Sequence, residues 1–294
     1  MTAKLPFADA YVHYIDHSRK DLVYEWLLPE ARDPNIGPGL ERLKKKSWLV
    51  DEFLRDARSS NIVASVHSEA WAGRVHDPVS ETSWLQSEAR RTGYPQAVVA
   101  FANLLAPNAQ DVLERHSRHA NLRAVRHFSP GDFLSDPAFH ARFALLRAFG
   151  LSYELSARPR TMQAAYDFAK RFPDVPMALV HCGFPWYLSM ENALAWRRGM
   201  QQLARAQNVV CKISGLPVGD HHWTVASLRP WVLHCIEAFG TKRVMFGSHW
   251  PVDTLYTSYE TLIDAFREII KDFSLDEQKD LLAGNCLRFY RIAA

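Results

Sequence analysis

The sequence predicts an α/β protein, a single (β/α)8 TIM barrel over residues 1–294. Three observations carry this. Eight short apolar runs, rich in β-branched and aromatic residues, alternate strictly with amphipathic helical stretches. Such alternation calls for a parallel sheet covered by helices. The chain of 294 residues suits an eight-unit barrel, which needs roughly 250 residues, with room left for loops. A doubly wound open sheet is the competing architecture. It is less well supported, because no GxGxxG and no GxxxxGK(S/T) follows any strand.

The strand candidates in order are LPFADAYVHY from Leu5, NIVASVHSE from Asn61, QAVVAFANLLA from Gln96 and LRAVRHF from Leu122. They continue with LSYELSA from Leu151, PMALVHCGFP from Pro176, NVVCKISGL from Asn208 and RVMFGSHWPV from Arg243. Each is bounded by turn residues. WLVDEFLRDARSS, DPAFHARFALLRAFG, RTMQAAYDFAKRF and YETLIDAFREIIKDF carry apolar residues at i, i+3 and i+4 and read as helices. Asp136 before Pro137 reads as an N-cap with proline in the first helical position, and Gly150 as a C-cap. Two long loops, Ile15 to Ser47 and Ala70 to Val79, follow strands one and two, at the end of a barrel where active sites sit.

Composition narrows the class. The chain is 48% hydrophobic and 23% charged, with a net charge of +3 and acids and bases interspersed. That predicts a small-molecule partner rather than nucleic acid or a membrane, and leaves a homo-oligomer open. Lys44 to Lys46 reads as a solvated surface run. Cys182, Cys211, Cys235 and Cys286 lack CxxC spacing and read as buried free thiols. With no apolar stretch of about 18 residues and no leader-like start, the expected location is cytoplasmic.

Polar residues recur at the strand ends. The first strand carries Asp9, Tyr11 and His13, the second His67 and Glu69, and the third Asn103. The fourth carries Arg123, Arg126 and His127, and the fifth Glu154 and Ser156. His181 and Cys182 end the sixth, Lys212 and Ser214 the seventh, and His249 the eighth. A barrel interior favours branched apolar residues, and buried polar groups are costly without partners. The repetition therefore points to a site at one end. Period two places Tyr11 and His13 on one face. Trp48, Trp71, Trp186, Trp223 and Trp250 fall in or near the loops of that end, which favours a planar ring substrate. His221 and His222 fall in the loop after strand seven, within reach of a substrate.

At these residues the chain resembles the amidohydrolase superfamily, in its amidohydrolase-2 branch. That branch holds sugar-lactone hydrolases and the 2-pyrone-4,6-dicarboxylate lactonase. "ADAYVHY", "LVHCGFP", "CKISGL", "RVMFGSHWPV" and "LLAGNCLRFYRI" resemble the branch's segments in the same order along nearly the whole chain. The resemblance implies a (β/α)8 barrel with its site at the mouth. The branch usually writes strand one as His-x-His and the end of strand eight as Asp-Trp-Pro. Here Tyr11 stands for the first histidine and His249 for the aspartate, while His13 and His181 keep their places. In metal-dependent relatives the histidine pair grips a divalent ion and the aspartate deprotonates the attacking water.

The expected function is hydrolysis of a lactone or related cyclic ester of a small, anionic, planar substrate, without a metal cofactor. His249 would be the general base. Tyr11, with His13 or His181, would donate to the developing oxyanion. The branch's pyrone-dicarboxylate lactonase is a precedent for such metal-free hydrolysis. Arg123, Arg126, His127, His67, Glu154, Lys212 and Trp250 are the expected substrate-binding residues, the cations among them for an anionic group. Two alternatives stand beside this reading. One is a zinc-dependent hydrolase using His13, His181 and His249 with one zinc ion. The other is a non-hydrolytic lyase or isomerase with His249 as proton shuttle.

Overall fold

Eight parallel strands follow one another around a barrel: β1 Phe7–Val12, β2 Ile62–Ser68, β3 Ala97–Phe101, β4 Leu122–Arg126, β5 Ser152–Leu155, β6 Met177–Leu179, β7 Val209–Ile213 and β8 Val244–Phe246. The structure, a computed structural model, describes residues 4–70, 77–127, 133–186 and 190–293. A helix returns after each strand, among them Val50–Ala57, Val79–Thr92, Met162–Arg171 and Tyr259–Ile269. Asp136 caps its helix as expected, its side chain accepting from the Ala138 amide, with Pro137 in the first position.

The barrel closes just beyond β8 rather than along it. The His249 amide donates to the Tyr11 carbonyl (2.9 Å), and the His13 amide to the Trp250 carbonyl (2.7 Å). Asp9 is fully buried at this seam. Its Oδ1 accepts from the amides of Ser248 (2.8 Å) and Tyr11 (3.2 Å), and its Oδ2 from the Tyr259 hydroxyl (2.9 Å). Gly247 makes the close approach possible, since a Cβ there would lie 2.6 Å from that of Tyr11. β1 shifts register between Asp9 and Val12. Ala8 and Ala10 thereby stay in the barrel core, while Tyr11 and His13 reach the mouth.

Small residues fill the strand interior: Ala8, Ala10, Ala64, Ala97, Ala124 and Ala178. The room they leave is taken by the C-terminal segment, whose Cys286 and Tyr290 are fully buried among them. The Tyr290 hydroxyl reaches up the axis to Glu154 Oε1 (3.2 Å). All four cysteines are buried and free.

Four expectations need correction. β8 ends at Phe246, not Val252, the chain leaving the sheet before the left-handed turn at His249. β6 ends at Leu179, not Pro185, because His181 and Cys182 turn into left-handed backbone (φ 50° and 42°) that leaves the sheet. β3 ends at Phe101, and the chain turns at Asn103, whose side chain accepts from the Leu105 amide. Lys44 is not solvated. Its ammonium is tucked into the long first loop, donating to the carbonyls of Pro29 (3.2 Å) and Ala31 (2.9 Å).

Candidate active site

A cavity opens at the C-terminal ends of the strands. Tyr11, His13, His181 and His249 lie together on its wall. The His181 and His249 ring centroids are 4.5 Å apart, those of Tyr11 and His181 4.6 Å, those of Tyr11 and His13 5.0 Å, and those of His13 and His249 5.5 Å. The four residues come from β1 and from the turns after β6 and β8, so the barrel's curvature assembles them.

Local backbone geometry aims two of the rings. His181 has φ 50° and His249 φ 55°, left-handed conformations uncommon for residues with a side chain and concentrated at functional sites. Gly215 (φ +66°) lets the chain pass beneath His181, since a Cβ there would come within 2.8 Å of its Nδ1.

Hydrogen bonds fix how the rings present themselves. His13 Nδ1 lies 2.8 Å from the Ser68 carbonyl, which can only accept, so Nδ1 carries the proton and Nε2 holds the lone pair. His181 Nδ1 pairs with Ser214 Oγ (2.9 Å). His249 Nδ1 lies 3.0 Å from Oδ1 of the buried Asp253. A carboxylate at Nδ1 orients the ring and makes Nε2 its basic atom. Burial, reinforced by the neighbouring His249, holds His13 and His181 well below the usual imidazole range, so both are neutral. Burial also raises Asp253, with His249 opposing the shift.

The phenol of Tyr11 is pushed up by burial, against the pull of Arg126. Arg126 Nη1 donates to the Tyr11 hydroxyl (2.9 Å) and Nη2 to Ser156 Oγ (3.3 Å), with Glu69 Oε1 3.6 Å away. The Tyr11 oxygen thus accepts from a cation, which makes its own O–H a better donor.

Beneath this layer lies a buried ion pair. Lys212 bonds Glu154 Oε1, while Glu154 Oε2 accepts from Ser68 Oγ (2.5 Å). The Lys212 ammonium sits 4.9 Å from the centroid of the Tyr11 ring and 5.0 Å from that of Tyr290. Burial pulls Lys212 down, with Glu154 opposing. Both residues support Tyr11 from below and stand off the cavity wall.

Of the expected substrate contacts, the structure brings only Arg126 to the cavity. Arg123 starts β4 at the opposite end, bonding the carbonyls of Ala120 and Leu122, because five residues of strand separate the two mouths. His127 accepts from the Leu104 amide (3.2 Å) and packs on Phe133 and Phe139 in the helical layer. His67 is buried behind His13, accepting from the Tyr14 amide (3.1 Å), with Nε2 3.4 Å from Glu81. Trp250 points outward among Tyr14, Trp48 and Phe53, and its indole donates to Asp56 (2.9 Å). Strand alternation explains these misses: a polar residue at a strand end faces either the barrel axis or the helices.

Of the tryptophans, Trp186 lines the cavity, and Trp71 lies outside the described residues. The first long loop delivers Trp26, Asp33, Asn35 and Ile36 to the rim. It is clamped from two sides. His221 Nε2 pairs with the Asn35 carbonyl (3.0 Å), and the Tyr256 hydroxyl donates to the Ile36 carbonyl (2.8 Å). His221 stacks on Tyr256 at 4.1 Å. Asp253, Arg158, Asp33 and Asn35 carried no strand-end signal. Asp253 was legible only as a carboxylate four residues beyond His249, a spacing that suits a tight turn.

The family implies a divalent ion at this mouth. Among the described residues no three His, Cys, Asp or Glu side chains are placed to hold one. A phenol raised by burial and bonded to a guanidinium occupies one ligand position, and phenol is a poor ligand until deprotonated. The donor set therefore does not fit the family's metal centre.

Comparison with known proteins agrees with this architecture. The chain is 36% identical over 281 residues to the uncharacterized protein y4mH of Sinorhizobium fredii, covering 92% of this chain and 93% of that protein. It is 31% identical over 288 residues to an L-fucono-1,5-lactonase of Burkholderia multivorans, covering 91% and 93%. A solved amidohydrolase of Burkholderia multivorans with bound zinc superposes with a TM-score of 0.82 at 27% identity, over 99% of this chain and all (100%) of that one. More distant barrels share the fold, including a probable 2-pyrone-4,6-dicarboxylic acid hydrolase of Acinetobacter baumannii (TM-score 0.71, 15% identity, 97% and 99% covered). No helix among the described residues is long and apolar enough to cross a membrane. A family model for amidohydrolases matches residues 16–292, which take in β2 to β8 with His181 and His249, and the chain belongs to the amidohydrolase family.

Proposed function

We propose that the protein hydrolyses a lactone or related cyclic ester of a small, anionic, planar substrate, with no metal in the reaction. The observation that carries this is the His249–Asp253 pair on the cavity wall beside Tyr11 and two neutral histidines. His249 Nε2 takes a proton from water, and Asp253 stabilises the imidazolium that forms. The water oxygen attacks the ester carbonyl. The Tyr11 hydroxyl, bonded by Arg126, donates to the oxygen on which charge develops. Collapse of the tetrahedral species breaks the ring C–O bond, and the imidazolium returns its proton to the leaving alkoxide. The product is an open-chain hydroxy acid.

For the lactone part of this reading, support also comes from the relatives named L-fucono-1,5-lactonase. The zinc named with the Burkholderia multivorans amidohydrolase belongs to that protein. Here Tyr11 and His249 stand at positions where the family places metal ligands, and Arg126 adds a positive charge beside them.

The test is turnover of small lactones in ¹⁸O-labelled water. Label in the product carboxylate is expected. Turnover without label would replace hydrolysis by a lyase or isomerase reaction with His249 moving the proton.

A further inference from the structure

We propose that Arg158 anchors a carboxylate on the substrate ring, so that the substrate is a lactone bearing its carboxylate on the side remote from the ester carbonyl. The proposal rests on the lactone reading above and adds to it where the charge sits and which residue meets it.

The other cations expected to hold an anionic group are engaged elsewhere. Arg123 lies at the far end of β4. Lys212 is closed off by Glu154 beneath Tyr11. Arg126 is committed to the Tyr11 hydroxyl and Ser156, with Glu69 beside it. Arg158 differs in each respect. It lines the cavity, and among the described residues it makes no ion pair.

Its placement is built. The loop after β5 is pinned at Arg158 itself, whose amide donates to Thr161 Oγ1 (2.9 Å) while that hydroxyl donates back to the Arg158 carbonyl (3.2 Å). Pro159 follows and fixes the exit of the chain. The guanidinium lies over the ring of Phe184, with Cζ 4.5 Å from the centroid. Stacking on a ring face leaves the edge of the fork open to a planar carboxylate. Phe184 in turn stands 5.2 Å from the His181 ring. One aromatic ring thus separates the guanidinium from the histidine cluster. That spacing suits a six-membered substrate with its ester at the histidines and its charge at the opposite edge. Asp33 also lines the cavity, near enough for its charge to act on Arg158 but without forming an ion pair with it.

The test uses a matched pair of planar lactones, 2-pyrone-5-carboxylate and its methyl ester, which differ in one charge remote from the carbonyl. The wild type is expected to favour the acid in kcat/KM. Arg158→Gln should cut that preference roughly 10- to 100-fold, the worth of a charge-assisted hydrogen-bonded pair, mainly through KM. Arg158→Lys should restore part of it, since it returns charge without the fork. Binding of the lactam analogue, 2-pyridone-5-carboxylate, against its methyl ester is measured by calorimetry in parallel and does not depend on turnover. If neither lactone is hydrolysed but the acid analogue binds more tightly through Arg158, the lactone reading fails and the anchor stands. Equal binding of acid and ester, or a preference unchanged in Arg158→Gln, overturns the anchor.

Discussion

Nδ1 of His249 lies 3.0 Å from Oδ1 of Asp253, four residues further along the same turn. A histidine that stands where the family resemblance implies an aspartate therefore has a carboxylate of its own, placed to orient it. His249→Ala should lower turnover by roughly 10² to 10⁴, the usual worth of general acid–base catalysis. Steady-state kinetics on a hydrolysed lactone check this, and unchanged kinetics would remove His249 from the mechanism.

Asp253→Asn keeps the shape but lets the amide offer a donor to Nδ1, which stabilises the wrong tautomer of His249. A fall in kcat of at least about tenfold, with KM little changed, is expected by analogy with other orienting carboxylates. Equal loss in both parameters, or loss of folded protein on thermal scanning, would make Asp253 structural.

Tyr11→Phe removes the hydroxyl that Arg126 contacts at 2.9 Å. Loss of one oxyanion donor should cost on the order of 10 to 10³ in kcat. A KM effect alone would recast Tyr11 as a binding residue.

The metal question has a direct measurement. The purified protein should carry little zinc, and chelators should leave turnover intact. Tyr11→His with His249→Asp places an imidazole and a carboxylate beside His13 and His181. The left-handed backbone at His249 (φ 55°) is one that aspartate adopts readily, so the double variant should fold and take up zinc. Elemental analysis of both proteins decides. Near-stoichiometric metal in the native protein, with activity lost on chelation, would promote the three-histidine zinc site.

Stability should depend on pH through two opposed sets of groups. His13 and His181 are held well below their ordinary 6.5, by burial first. As pH falls through about 6.5, the unfolded chain gains protons on both and the folded state does not, so stability is full above that window and falls below it. Asp9 is raised from 3.8 to about 6 by burial. The unfolded chain then loses its proton first as pH rises, and the folded state loses stability between those values, on the order of 3 kcal/mol. Asp9→Asn should therefore gain in Tm relative to wild type as pH rises from about 4 to about 7. A difference between the two that does not change with pH would show that Asp9 titrates normally.

The sequence by itself determined the barrel. Alternation of β-branched runs with 3.6-periodic stretches is a local property of the chain, and it survived in every strand of the sheet. It also marked the cluster at the mouth, because Tyr11, His13, His181 and His249 interrupt apolar strands where only a mouth tolerates polar groups. Only the tertiary structure decided which polar residues face that mouth. His67, His127 and Trp250 sit at strand ends as convincingly as His13, yet turn toward the helices. A register shift of one residue in β1, and left-handed turns at His181 and His249, set the direction of each side chain. Neither leaves a mark in the hydrophobic pattern. Arg158 and the rim residues Asp33 and Asn35 come from loops, whose course is fixed by long-range bonds such as His221 to Asn35 and Tyr256 to Ile36 rather than by local periodicity. The charge of Lys212 met its partner the same way: Glu154 is 58 residues away in the chain, and only barrel closure brings the two together beneath Tyr11.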